Sequence, residues 1–95
     1  MSQPLPNKNL PMPSLRNIQA FIEVAATGSL NLAAENLNIT ASAVSHQIAS
    51  LEHLLGKKLF SRSSKGVMLT TVGEKYLKEV SGALNMIGQA TSQVI

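Results

Sequence analysis

From Ser14 onward the apolar positions fall into blocks with helical spacing, each opened by a hydroxyl residue and closed by a glycine or an asparagine. Leu15, Ile18, Phe21, Ile22 and Ala25 recur at intervals of three and four, which predicts a first helix with that stripe turned toward a core. Ser14 is placed to accept from the free amides of its first turn, and Gly28 supplies the left-handed residue that stops it. Ser29 opens a short second helix with Leu30, Ala33, Ala34 and Leu37 inward, the two alanines being small enough to let another helix approach closely. Asn38 tolerates a left-handed turn, Ile39 is placed as a plug beneath it, and Thr40 is a third cap. A third helix then runs from Ala41 to about Leu55 with Val44, Ile48, Leu51 and Leu55 inward, and Gly56 ends it. Helix two, a turn of about three or four residues and helix three have the spacing of a helix-turn-helix.

Between Lys58 and Thr70 the period changes. Leu59-Phe60 and Val67-Met68-Leu69 read as two short strands around the turn residues Ser63, Ser64, Lys65 and Gly66, so a small hairpin, or wing, flanks the helix-turn-helix. The last helix opens at Thr70 or at Thr71; Thr71-Val72-Gly73-Glu74 fits a capping box, and Thr70 is an equally good cap. Beyond it Leu77, Val80, Leu84, Ile87, Thr91 and Val94 alternate in threes and fours, an a/d seam with Thr91 as its one polar member. A helix of about 24 residues spans roughly 36 Å, too long to bury its stripe against so small a domain. The seam therefore predicts a partner, most simply a second copy; the competing reading is a lone helix lying on helix one. The expected organisation is mainly α: an irregular arm over 1–13, a winged helix-turn-helix over 14–70, and a linker or dimerisation helix over 71–95.

Composition narrows the class. The chain has 95 residues and is 44% apolar, enough for one core and too short for a second full domain. Eight Lys or Arg face five acids, all Glu, for a net charge of +3. Lys57, Lys58, Arg62 and Lys65 are clustered, with no acid between Glu52 and Glu74, which reads either as a solvated loop or as an electropositive patch. Phe21, Phe60 and Tyr76 are the aromatics, too few for the stacking platforms of a single-strand binder. The absence of cysteine excludes disulfides and thiolate metal sites and fits a reducing cytoplasm. No apolar run reaches the roughly 18 residues of a membrane helix. Met1 to Pro13 carries all four prolines and only Lys8 as a charge, so it reads as an irregular arm or a disordered tail and not as a secretory signal.

Three elements of such a fold can meet DNA. On helix three the outward positions are Ala41, Ser42, Ser45, His46 and Ala49, with Gln47 placed toward the DNA backbone; leading turns of a recognition helix read base edges while the other face stays in the core. Ser29 and Thr40 sit at helix N-termini, where free amides and the helix dipole suit a phosphate, although capping alone explains both. Arg62 and Lys65 on the wing suit phosphates or a minor groove, with Lys57 and Lys58 adding field or only being solvated. Catalysis finds no assembled constellation. His46 and His53 share a helix face but lie roughly 10 Å apart along the axis, too far for one zinc ion. No Asp is present to orient a histidine, and Glu52 reads as a structural partner for a base such as Arg62. Neither a metal nor a cofactor is expected.

The blocks Phe21-Ile22-Glu23-Val24-Ala25, Gly28-Ser29-Leu30 and Ala33-Ala34-Glu35-Asn36-Leu37 resemble the opening of LysR-type regulators. So do Ala43-Val44-Ser45-His46-Gln47-Ile48, Leu51-Glu52-His53-Leu54-Leu55-Gly56, Leu59-Phe60-Ser61-Arg62 and Leu69-Thr70 with Gly73. The series runs in order from about Leu15 to Val94, and its Val44–Ile48 string is similar to the branch that includes glycine-cleavage activators. The resemblance implies a transcription regulator that binds interrupted dyad sites in double-stranded DNA near promoters, as a dimer or tetramer whose linker helices pair antiparallel. It also implies that Ser29, Ser42, Ser45, His46 and Arg62 face DNA. Three departures matter: His46 stands where arginine is commoner, Ala49 where a basic or polar residue is common, and Asn31-Leu32 replace a hydroxyl and often a basic residue. Fewer fixed charges imply a shallower salt dependence. Family members continue into a two-lobed effector-binding domain, so the expectation is either an excised fragment or a naturally short protein, with any small-molecule effector acting through a domain outside this chain. A short interaction module that heterodimerises with a full-length regulator through the terminal helix is the competing function.

Overall fold

The computed structural model describes residues 10–95, arranged as α1 (Leu15–Thr27), α2 (Leu30–Leu37), α3 (Ala41–Leu55), β1 (Phe60–Ser63), β2 (Gly66–Leu69) and α4 (Thr71–Ser92). Leu10 to Pro13 lead into α1 without regular structure, and the rest of the expected arm lies outside the described residues. Hydroxyl caps set the starts: Ser14 accepts from Asn17 N, Ser29 from Leu32 N, Thr40 from Ala43 N and Thr70 from Gly73 N. Gly28, Asn38 and Gly56 stop the first three helices in the left-handed conformation, Asn38 at φ 57°.

α1, α2 and α3 close around one core in which Phe21, Val24, Val44, Leu51 and Leu59 are the largest fully buried side chains. Burying each such side chain is worth about 1.5–3 kcal/mol, so these few positions dominate the head of the molecule. Phe21 is the hub. Its ring lies 5.4 Å from that of Phe60 and 5.6 Å from that of Tyr76, both tilted, and so joins α1 to β1 and to α4. Partial burial pushes the Tyr76 hydroxyl above its ordinary pKa.

The buried face of α1 is rotated from the one expected. Asn17, Ala20 and Val24 join Ile18 and Phe21 inside, Ile22 and Ala25 are only half-buried, and Leu15 is 54% exposed. The reason is that α3 packs across the Asn17–Ala20–Val24 side, and a polar residue there is tolerated once it is hydrogen-bonded. Ile39 is not a plug: it is 41% exposed at the α2–α3 turn.

β1 and β2 form an antiparallel hairpin in the register Phe60↔Leu69, Ser61↔Met68, Arg62↔Val67 and Ser63↔Gly66, leaving Ser64 and Lys65 at the tip. Thr70, rather than Thr71, caps α4. Its hydroxyl also donates to Lys58 O (2.8 Å), and its amide donates to Leu59 O (2.9 Å). At Gly73 the first turn of α4 runs so close to β1's approach that an added Cβ would lie 2.2 Å from Leu59 O.

The apolar seam of α4 divides into two halves. Leu77, Val80 and Leu84 are half-buried against the chain's own core, as the lone-helix reading required. Ile87, Thr91 and Val94 are exposed, and Val94 lies past the helix end rather than within it. Thr91 donates to Ile87 O (2.8 Å), satisfying its hydroxyl within the helix.

Candidate nucleic-acid interface

α3 buries Val44, Ile48 and Leu51 and turns Ser42, His46, Ala49 and His53 to solvent. At 100° per residue these four lie on one line along the helix, opposite the core face. Ser42, His46 and Ala49 were expected there. His53 extends the line into the last turn, and its position seven residues after His46 is the signal that could have found it. Ser45 is half-buried and sits on the flank toward the wing.

That flank holds the one hydrogen bond between a wing side chain and an α3 side chain among the described residues: Arg62 Nη2 donates to Ser45 Oγ at 3.3 Å. An open cleft of about 480 Å³ separates α3 from the hairpin, floored by Ile48, Phe60 and Val67 and edged by Ser45, Arg62 and Lys58. Glu52 does not pair with Arg62. Its Oε2 accepts from Leu59 N (2.8 Å) and Phe60 N (3.4 Å), and its Oε1 lies 3.6 Å from Lys58 Nζ. The carboxylate is therefore a brace between α3 and the root of the wing. The amide bonds carry that brace, because the ammonium of Lys58 is 81% exposed and screened. Lys65 is exposed at the hairpin tip, where Gly66 adopts φ +112° and a Cβ added to it would come 3.5 Å from the Gly28 carbonyl oxygen. The wing tip thus lies against the α1–α2 corner that carries Ser29. Lys57 and Lys58 line a second hollow with Ala49 and His53 at the C-terminal end of α3.

The opposite flank of α3 is organised by a residue that periodicity assigned no role. Asn17 is 8% exposed; its Oδ1 accepts from Ser14 N (3.3 Å), and its Nδ2 donates to Gln47 Oε1 (2.6 Å) and Gln47 O (3.4 Å). Gln47 is thus half-buried, with its side-chain oxygen held by α1. An open crevice of about 440 Å³ lies beside it, with Arg16, Gln19 and Gln47 around Ile39 and Ala43. Sequence reasoning missed Arg16 and Asn17, because contact between the starts of α1 and α3 is a tertiary fact. Ser29 is half-buried and Thr40 exposed, and both hydroxyl oxygens are engaged as caps. Among the described residues, no group of His or acidic side chains could hold a metal ion, and no helix is long and apolar enough to cross a membrane.

Comparison with known proteins agrees with this geometry. The family described as "bacterial regulatory helix-turn-helix protein, lysR family" matches residues 15–74. The glycine cleavage system transcriptional activator of Escherichia coli (strain K12) is 37% identical over 83 residues, which are 87% of this chain and 27% of that protein. The chain thus spans about a quarter of the length of the curated relatives it matches. Among solved structures, the DNA-binding domain of BenM in complex with catB site 1 DNA superposes with a TM-score of 0.82 at 31% identity, covering 85% of this chain and 91% of that one. The DNA-binding domain of CbnR in complex with DNA gives 0.79 at 30% identity, covering 84% and 92%.

Proposed function

The chain belongs to the LysR family of bacterial regulatory helix-turn-helix proteins, as one of its DNA-binding domains and not as an enzyme, and from that premise we propose how it engages DNA. It binds an interrupted dyad in duplex DNA near a promoter, as a homodimer, in the cytoplasm. α3 enters the major groove with Ser42, Ser45, His46 and Ala49 toward base edges, and Arg62 and Lys65 of the wing lie on backbone or minor groove. Ser29, Thr40 and Gln47 contact phosphates. The observation that carries this reading is the line Ser42–His46–Ala49, open to solvent on a helix whose other face is buried and whose wing-side flank is hydrogen-bonded to the Arg62 guanidinium. Two DNA-binding domains of similar fold, those of BenM and CbnR, are described in complex with DNA, which supports the assignment.

Dimerisation runs through the distal half of α4. Ile87 is 58% and Met86 71% exposed, and Ile87 continues an apolar groove with Met12, Leu15 and Leu84. A second copy laid along this stripe would cover it. The test is a gel-shift titration against promoter fragments with scrambled competitor, repeated across salt. Preference for particular fragments, with affinity falling as salt rises, is the expected result. Equal binding to every duplex, or none, overturns the reading.

A further inference from the structure

The amide of Gln47 has a fixed polarity, and the chain of bonds that fixes it starts at a group that cannot reverse. Ser14 N–H is a backbone donor, so the atom of Asn17 facing it is the oxygen. The Asn17 nitrogen then points at α3, where its two hydrogens go to Gln47 O and Gln47 Oε1. Gln47 must meet that donor with its oxygen. Its own NH2 is left with no protein partner among the described residues and is not buried. It opens beside the crevice that Arg16 and Gln19 share, in which no carboxylate takes part. Beside the outward NH2 of Gln47 this face carries one fixed positive charge, Arg16, and the amide of Gln19.

We infer that Asn17 is a positioning residue for DNA binding: it holds the Gln47 amide donors outward at a backbone-phosphate seat completed by Arg16, on the flank of α3 opposite the wing. A phosphate fits better than a base. Gln47 lies off the outward line of Ser42, His46 and Ala49, and a recognition helix in a major groove has a sugar-phosphate wall on each side. Arg62 serves one wall through the wing, and Arg16 with Gln47 serves the other. The bond between Ser14 N and Asn17 is also half of a capping box, so the residue that starts α1 in register also orients the donor on α3.

The inference rests on the DNA-binding reading above and is tested with the full chain and fragmented genomic duplex at low salt, because a phosphate contact is independent of sequence. Gln47→Ala is expected to weaken binding about five- to tenfold, as one bond to a charged acceptor is lost. Gln47→Glu keeps the oxygen toward Asn17 but turns a second oxygen outward, and it is expected to weaken binding further. Asn17→Ala is expected to cost about two- to fivefold in the unaltered background and nothing more in the Gln47→Ala background, while it lowers the melting temperature in both, less where the Gln47 side chain is already absent. Arg16→Ala is expected to reduce the slope of log affinity against log salt by about 0.9, and Gln47→Ala to leave it unchanged. If Asn17→Ala costs the same affinity in both backgrounds, its role is structural and the inference fails while DNA binding stands. An unchanged slope for Arg16→Ala, or full affinity for Gln47→Glu, likewise overturns the seat. No duplex binding by the unaltered chain overturns the functional reading, and the inference with it.

Discussion

Ser45 and Arg62 show how one hydrogen bond relates two parts of the proposed interface. With its guanidinium held 3.3 Å from Ser45, Arg62 is kept over the α3 flank instead of sweeping freely through solvent, which lowers the ordering entropy lost on binding. Ser45 and His46 should therefore carry discrimination, and Lys65, at the exposed hairpin tip, only affinity. Ser45→Ala and His46→Ala are each expected to reduce the preference for operator over scrambled duplex by roughly tenfold, a loss of about 1–2 kcal/mol. Lys65→Ala should weaken both duplexes alike and flatten the salt dependence. Parallel titrations decide it, and a change of base preference in Lys65→Ala would reverse the division of roles. At this scale the sequence was partly legible. Ser42, His46 and Ala49 stand on the open face because helical period fixes them. The partners of Glu52 and Asn17 were not legible, because each bonds across elements whose approach no local pattern encodes.

At the scale of elements, local chemistry predicted most boundaries. Ser14, Ser29 and Thr40 cap, and Gly28, Asn38 and Gly56 stop, where short-range rules put them. The ambiguity between Thr70 and Thr71 was settled by a neighbour: Thr70 bonds Lys58 O and Leu59 O, which ties the cap to the root of β1. The glycines of α4 separate on the same principle. Gly73 faces Leu59 O with no room for a methyl, whereas Gly82 has nothing within 4 Å. Gly82→Ala should therefore raise stability by up to about 1 kcal/mol through helix propensity alone. Gly73→Ala should lower it by roughly 2–3 kcal/mol or more, since backbone must shift. Thermal melts of the two variants should move in opposite directions, and a neutral Gly73→Ala would mean that α4 can lift off the hairpin at little cost.

At the largest scale, the described residues measure 53 × 31 × 20 Å, and their length is that of a rod leaving a head. The seam Leu77–Val94 was read as a single interface. In fact its first half, to Leu84, packs on the head and only the part beyond is open, a split that depends on how α4 docks and not on the spacing of its residues. The division decides which substitution reports on self-association. Leu84→Asp would damage the head as well. Ile87→Asp alters an exposed position and should convert dimer to monomer in sedimentation while the melting of the head stays within about 0.5 kcal/mol of its original stability. A dimer unaffected by Ile87→Asp would place the interface elsewhere. The absent methyl at Gly73 has its own mechanical meaning. With Leu59 O against the first turn of α4, and Leu77, Val80 and Leu84 packed on the head, a Gly73→Ala variant that melts lower would make the joint at the root of the rod a weld and not a hinge. Torque applied at the far end of such a rod would reach α3 as rotation of the entire head, without first being spent in bending a linker.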